Sequence, residues 1–130
     1  MKIVVIDDDP ATTDLLRMML EPLSAEIKHA ESGPRGIQLV RNENPDLVIL
    51  DLMMPEINGW HVCRVVREFS RVPILILSAL DIPSLVAAAL DAGADDYLIK
   101  PVSANLLLAQ VNKLLRRNRL LHGVVSLMTI

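Results

Sequence analysis

Apolar residues fall in short blocks along this chain. Tyr97–Ile99 is a short last strand, while Lys2–Ile6, Val48–Leu50 and Ile74–Leu77 are brief, nearly continuous apolar runs. Runs of that length without alternation fit strands buried on both faces, the kind found in parallel sheets. Ala25–Ala30 is a weaker, alternating run and supplies one more strand. The stretches between follow a helical spacing. Asp9-Pro10 reads as an N-cap and first helical position, Leu15, Leu16, Met18, Met19 and Leu20 give that helix an apolar side, and Pro22 ends it. Ser32-Gly33-Pro34 turns the chain into a second helix marked by Ile37, Leu39 and Val40, and Asn44-Pro45-Asp46 turns it out again. A loop closed by Pro55 and Gly59 precedes a third helix, Trp60–Phe69, with Val62, Val65, Val66 and Phe69 at helical spacing. A fourth helix runs roughly from Ile82 to Ala92 with Gly93 as its C-cap, and Ser103 caps a last one reaching about Arg117.

Strands alternating with helices predict an α/β fold: a doubly wound, five-stranded parallel sheet with helices on both faces. In the flavodoxin-like strand order 2-1-3-4-5, the switch point lies between strands 1 and 3. The first strand ends in Asp7-Asp8-Asp9 and the third in Asp51, so this order sets their acidic ends side by side.

Composition narrows the class. The chain has 130 residues, 52% apolar and 22% charged, which suits one folded domain. Aromatic residues are only 2%, so Leu, Ile, Val, Ala and Met must build the core. A net charge of −3 argues against nucleic-acid binding through bulk charge. Cys63 is the single cysteine, which excludes an internal disulfide and a cysteine metal cluster. The N-terminal apolar run is too short for a signal peptide or a membrane span, so the expected location is cytoplasmic.

Candidate chemistry gathers at the predicted strand ends. Three carboxylates at one crevice repel each other, so their pKa values rise or a cation binds. Hard oxygen ligands on a partly open site suit Mg²⁺, which shares its shell with water and phosphate oxygens. Later strands deliver the Ser78 hydroxyl and the Lys100 ammonium. A hydroxyl, a mobile cation and a metal around one carboxylate describe phosphoryl transfer to Asp51.

Asp7-Asp8, Asp51 with Pro55 and Gly59, Ser78 and Lys100-Pro101 occur in an order that resembles the response regulator receiver domain of two-component signalling, over roughly residues 2 to 117. The stretch Ala92–Pro101 is similar to the transcription-factor, winged-helix branch. The resemblance implies that Asp51 is the phosphoacceptor for a histidine kinase or phosphotransfer protein. It implies that Asp8 ligates Mg²⁺ directly and Asp7 through water, with Asp51 and the Met53 backbone carbonyl as further ligands. Lys100 would pair with a phosphoryl oxygen. Ser78 would bond another and move inward, and Tyr97 would follow into the space it leaves. The Lys100–Pro101 peptide is expected to be cis, as is usual in the family.

Plainer readings stand beside these. Asp51 on its own is a turn residue, Asp7 and Asp8 suit a helix N-terminus, and Tyr97 suits edge packing. His29, His61 and His122 show no ligand spacing and read as surface residues, Cys63 as a half-buried filler, and Asp95 with Asp96 as a solvated turn or part of an output face.

The chain departs from the family pattern in three places. Met53 and Leu80 flank the acceptor where polar groups often help to place water, which predicts slow loss of the phosphoryl group. Leu106 and Gln110 replace the acid and base expected on helix 5, and helix 4 is uncharged until Asp91. Helix 5 is apolar almost all round, so the expected contact is a homodimer through helices 4 and 5 with apolar character. Residues 118–130 read as a linker or tail, either the start of an effector domain absent from this chain or a segment that packs on a partner chain, and DNA would be bound only through such an effector domain. The alternatives are a stand-alone single-domain phosphorelay receiver and a Mg²⁺-dependent aspartyl-phosphate phosphohydrolase. The hydrolases typically place a general-acid aspartate where this chain has Met53.

Overall fold

The parallel sheet has the strand order β2-β1-β3-β4-β5 in a computed structural model that describes residues 1–54 and 58–128, with side chains to residue 120. The strands are β1 (Lys2–Ile6), β2 (Glu26–Ala30), β3 (Leu47–Leu50), β4 (Ile74–Ser78) and β5 (Asp96–Ile99). Between and after them lie α1 (Pro10–Met19), α2 (Gly33–Glu43), α3 (Gly59–Phe69), α4 (Pro83–Asp91) and α5 (Ala104–Met128). The expected fold class and strand order are therefore observed.

Strand pleating divides the apolar residues between two cores. Val4, Ile6, Val48, Leu50, Ile74 and Ile76 face α2 and α3, where Leu39, Val40, Val62 and Val66 close the layer. Ile3, Val5, Leu47, Ile49, Leu75 and Leu77 face α1 and α5, where Leu16, Leu20, Leu107 and Val111 do the same. Both faces of the central strands are dry, which is why they read as unbroken apolar runs.

Register then fixes the site edge. Ile6 pairs with Leu50, and Leu50 with Ile76. The ladder runs one residue past the strands. Asp7 N–H donates to Ala30 O at 3.0 Å, Asp51 N–H to Ile6 O at 3.0 Å, and Lys100 N–H to Ser78 O at 2.9 Å. Asp7, Asp51, Ser78 and Lys100 are thereby held at one sheet edge.

Several local expectations need correction. Asp9 caps α1 as expected, its side chain accepting from Ala11 N–H, but the helix ends at Met19 and Pro22 lies within the 3₁₀ turn Glu21–Leu23. Gly93 lies one residue past the C-cap Ala92, at φ +117°. Gly93 N–H bonds Leu90 O and Ala94 N–H bonds Ala89 O, a Schellman closure that needs the left-handed residue. Cys63 is fully buried rather than half-buried, and burial pushes its thiol up to about 11. Phe69 is exposed, with the Arg41 guanidinium 4.5 Å from its ring centre. Helix α5 passes Arg117 without a break and reaches Met128. It buries Leu107, Val111, Leu114 and Leu115 but leaves Leu106 and Leu120 exposed. The closing role given to Pro55, the surface role of His122 and the packing of the tail beyond Leu120 lie outside the described residues.

Candidate functional site

The acidic pair leaves β1 where the strand sinks its last apolar residue, Ile6, into the core. Asp7 is 3% exposed and Asp51 is 8% exposed, while Asp8 is open to solvent. One oxygen from each of the three carboxylates lies within 4.8 Å of the other two. Two buried anions so placed need a cation. Lys100 supplies one from the end of β5, with Nζ 3.1 Å from Asp7 Oδ2 and 3.6 Å from Asp51 Oδ2. The peptide after it, Lys100–Pro101, is cis.

The electrostatics leave room for more positive charge. Burial pushes the Asp7 carboxyl above its ordinary value. The Asp9 N–H and Lys100 oppose this, and the Asp51 charge adds to it. Three carboxylates face the one Lys100 ammonium, so the cluster has fewer positive than acidic groups. All the side-chain donors are hard oxygens, from two neighbouring strand ends, with one member wet. That set fits Mg²⁺, which retains water and needs only a few carboxylates.

The candidate acceptor is oriented by its own loop. Met53 N–H donates to Asp51 Oδ1 at 3.1 Å, so its main chain engages the acceptor through the amide. Gly59, the first residue of α3, packs on that loop so closely that a Cβ there would meet Asp51 O at 2.9 Å. The Met53 side chain is 54% exposed and Leu80 is half-buried against the core. The two apolar chains thus differ, one lying open beside the site and one packed.

Ser78 ends β4 and is fully buried. Leu80 N–H donates to its Oγ at 3.3 Å, and the Tyr97 hydroxyl donates to Leu80 O at 2.7 Å. Burial raises the Tyr97 phenol above its ordinary range, with the Ser78 hydroxyl partly opposing. All the sequence-derived candidates, Asp7, Asp8, Asp51, Met53, Ser78, Tyr97 and Lys100, thus fall at this one edge or directly behind it.

Three other residues escaped the sequence reading. His29 is partly buried, its Nε2 2.9 Å from Asp7 O. Trp60 Nε1 donates to Leu85 O in α4 at 3.3 Å. Asp95 is not a solvated turn residue, since its carboxylate is held on both oxygens. It binds Arg67 at 2.7 Å, Arg117 at 2.6 Å and the Ile74 N–H at 2.8 Å. An isolated histidine or an Asp-Asp pair carries no spacing that would have revealed these partners. Among the described residues no helix is long and apolar enough to cross a membrane.

Comparison with known proteins adds independent findings. A family model described as the response regulator receiver domain matches residues 3–112. Response regulator MprA of Mycobacterium sp. (strain KMS) is 44% identical over 117 residues, covering 89% of this chain and 51% of that protein. Transcriptional regulatory protein AfsQ1 of Streptomyces coelicolor is 38% identical over 115 residues, covering 88% and 51%. The chain thus spans about half the length of these curated relatives. Among solved structures, the BeF3-activated N-terminal receiver domain of Klebsiella pneumoniae RstA is 34% identical with a TM-score of 0.84, covering 89% of this chain and 99% of that one. A two-component response regulator from Clostridium difficile is 31% identical with a TM-score of 0.85, covering 89% and 96%.

Proposed function

We propose that this chain, which belongs to the response regulator receiver domain family, is a phosphorylation-activated switch with Asp51 as its acceptor. The observation that carries the reading is Lys100 set between Asp7 and Asp51, at 3.1 and 3.6 Å, within a cluster of three carboxylates. An Asp51 carboxylate oxygen attacks the donor's phosphorus, the bond to the donor breaks, and an acyl phosphate forms. Asp7, Asp8, Asp51 and the Met53 carbonyl would hold Mg²⁺, which supplies neutralisation of phosphoryl charge. Met53 N–H orients Asp51, and Lys100 moves from the carboxylates to a phosphoryl oxygen. The cage thus acts by positioning and charge.

The donor is a histidine kinase or a phosphotransfer protein. An apolar groove of about 540 Å³ beside α1, lined by Leu15, Leu16, Met19, Leu77, Lys100 and Val102, supports a protein donor. It shares Lys100 with the site, so a partner seated there stands next to Asp51.

Output follows from Leu80. Once Ser78 turns its hydroxyl to a phosphoryl oxygen, the Leu80 N–H loses its partner and Leu80 O pulls on Tyr97. That couples the site to the α4–β5–α5 face, where Leu90, Ile99 and Leu106 are exposed. This face suits an apolar homodimer, and transcription through a DNA-binding effector is the output that the regulator relatives suggest. Sedimentation with and without beryllofluoride checks this: a monomer at high concentration in both states contradicts the dimer, as does a dimer unaffected by Leu106→Glu.

The hydrolase alternative is disfavoured by Met53, whose thioether has no proton to give a leaving group. The discriminating test is to remove the donor after labelling and follow free phosphate. A receiver keeps an adduct that decays slowly. Release already complete when the donor is removed supports the hydrolase.

A further inference from the structure

We infer that His29 is a positioning residue for the acidic pair, holding the peptide that joins Asp7 to Asp8; this rests on the phosphoacceptor reading above. His29 lies on the edge strand β2, paired in register with Val5, and its side chain is partly buried. Its Nε2 is 2.9 Å from the carbonyl oxygen of Asp7. A carbonyl only accepts, so Nε2 carries the proton and donates.

That oxygen belongs to the Asp7–Asp8 peptide. The peptide unit is planar, so a bond on its oxygen fixes the rotation of the whole unit and the direction in which the Asp8 side chain departs. The other bonds to Asp7 act elsewhere. Its N–H donates to Ala30 O at 3.0 Å, its Oδ1 accepts from Asp9 N–H at 2.9 Å, and its Oδ2 accepts from Lys100 at 3.1 Å. Asp8 is exposed, and among the described residues its carboxylate has no hydrogen-bond donor. Its aim therefore depends on the main chain that His29 holds. The strand bearing His29 is itself tied to α1, where Arg17 donates to Ile27 O at 2.9 Å. A carboxylate aimed in advance loses less freedom when a cation arrives, and outer partners of this kind commonly tune metal affinity.

The test compares the parent chain with His29→Leu, which removes the donor, and His29→Gln, which keeps an N–H donor. The probe is MgCl₂ alone, followed through the backbone amide resonances of Asp8 and Asp9. The rate of labelling by a small acyl phosphate is measured across the same Mg²⁺ range, and thermal unfolding is measured in chelator. His29→Leu should need about tenfold more Mg²⁺ for half-saturation. It should reach the parent's labelling rate at saturating Mg²⁺ and unfold in chelator in a single transition slightly below the parent's, as the loss of one hydrogen bond requires, with His29→Gln returning toward the parent in Mg²⁺ half-saturation. Equal half-saturation in His29→Leu and the parent overturns the inference alone. So does an equal weakening in both variants, which marks damage to the fold. A parent chain with no saturable response to Mg²⁺ overturns the phosphoacceptor reading and this inference with it.

Discussion

The Tyr97 hydroxyl donates a 2.7 Å hydrogen bond to the carbonyl oxygen of Leu80, and the N–H of Leu80 in turn donates to Ser78 Oγ at 3.3 Å. One residue of the β4–α4 segment therefore holds the buried serine at one end and the tyrosine at the other. Tyr97→Phe removes a single hydroxyl and should lower stability by about 1 kcal/mol, the net worth of an ordinary hydrogen bond. Labelling of Asp51 should continue. The change in amide exchange across α4 that phosphorylation produces should shrink. Hydrogen-exchange mass spectrometry of both proteins, with and without beryllofluoride, checks this, and an undiminished α4 response in Tyr97→Phe contradicts the coupling.

Asp95 separates two arginines of unequal worth. Its partner Arg67 has a side chain only 21% exposed, and Arg67 also donates to Gly93 O at 3.0 Å and Val72 O at 2.6 Å. Arg117 is 51% exposed. Asp95→Ala leaves the largely buried Arg67 guanidinium without its counter-charge and the Ile74 N–H without its acceptor, and should lose about 2 kcal/mol in urea unfolding. Arg117→Ala removes an exposed pair and should lose under about 1 kcal/mol. Equal losses from the two substitutions would show that the clamp is held by α5 rather than by α3.

Asp7 sets a pH dependence. Its folded-state pKa is raised, chiefly by burial. The folded chain therefore binds this proton more tightly than the unfolded chain does. The stabilising contribution is fully present below the ordinary value of 3.8 and is lost as pH rises through the folded value. At neutral pH without metal, Asp7 is thus a burden on the fold. Asp7→Asn should be the more stable protein in chelator at pH 7, and its advantage should shrink as the pH is lowered. A constant difference between the two across that range contradicts this account.

The lifetime of the phosphoryl group should depend on the apolar neighbours of Asp51. Met53 is the cleaner place to test this, because it is 54% exposed while Leu80 packs on the core. Met53→Asn brings a group able to hold water, and should speed dephosphorylation by about tenfold, or about 1.4 kcal/mol in the barrier. Leu80→Glu should act in the same direction with some loss of stability. Unchanged lifetimes in both variants would show that these chains do not shield the acyl phosphate.

Much of the fold was legible because both faces of β1, β3 and β4 are buried. That writes unbroken apolar runs into the sequence and leaves Asp7, Asp51 and Ser78 as the first polar residues after them. The site was legible for the same reason, since chemistry at strand ends stands out against apolar neighbours. What stayed hidden depends on contacts between distant segments. The bonds from His29 to Asp7 O, from Trp60 to Leu85 O and from Arg67 to Asp95 join residues with no periodic relation. The end of α5 also escaped, because Arg116-Arg117-Asn118-Arg119 reads as a polar linker yet consists of good to fair helix formers, and the helix continues through it.

The central claim is that Asp51 accepts a phosphoryl group in a Mg²⁺-dependent reaction. Intact-mass measurement after incubation with Mg²⁺ and a small acyl-phosphate donor tests it most directly, with Asp51→Ala and a chelated sample alongside. The account predicts one added phosphoryl group on the parent chain and none in either control. No addition to the parent, or an equal addition to Asp51→Ala, would contradict it.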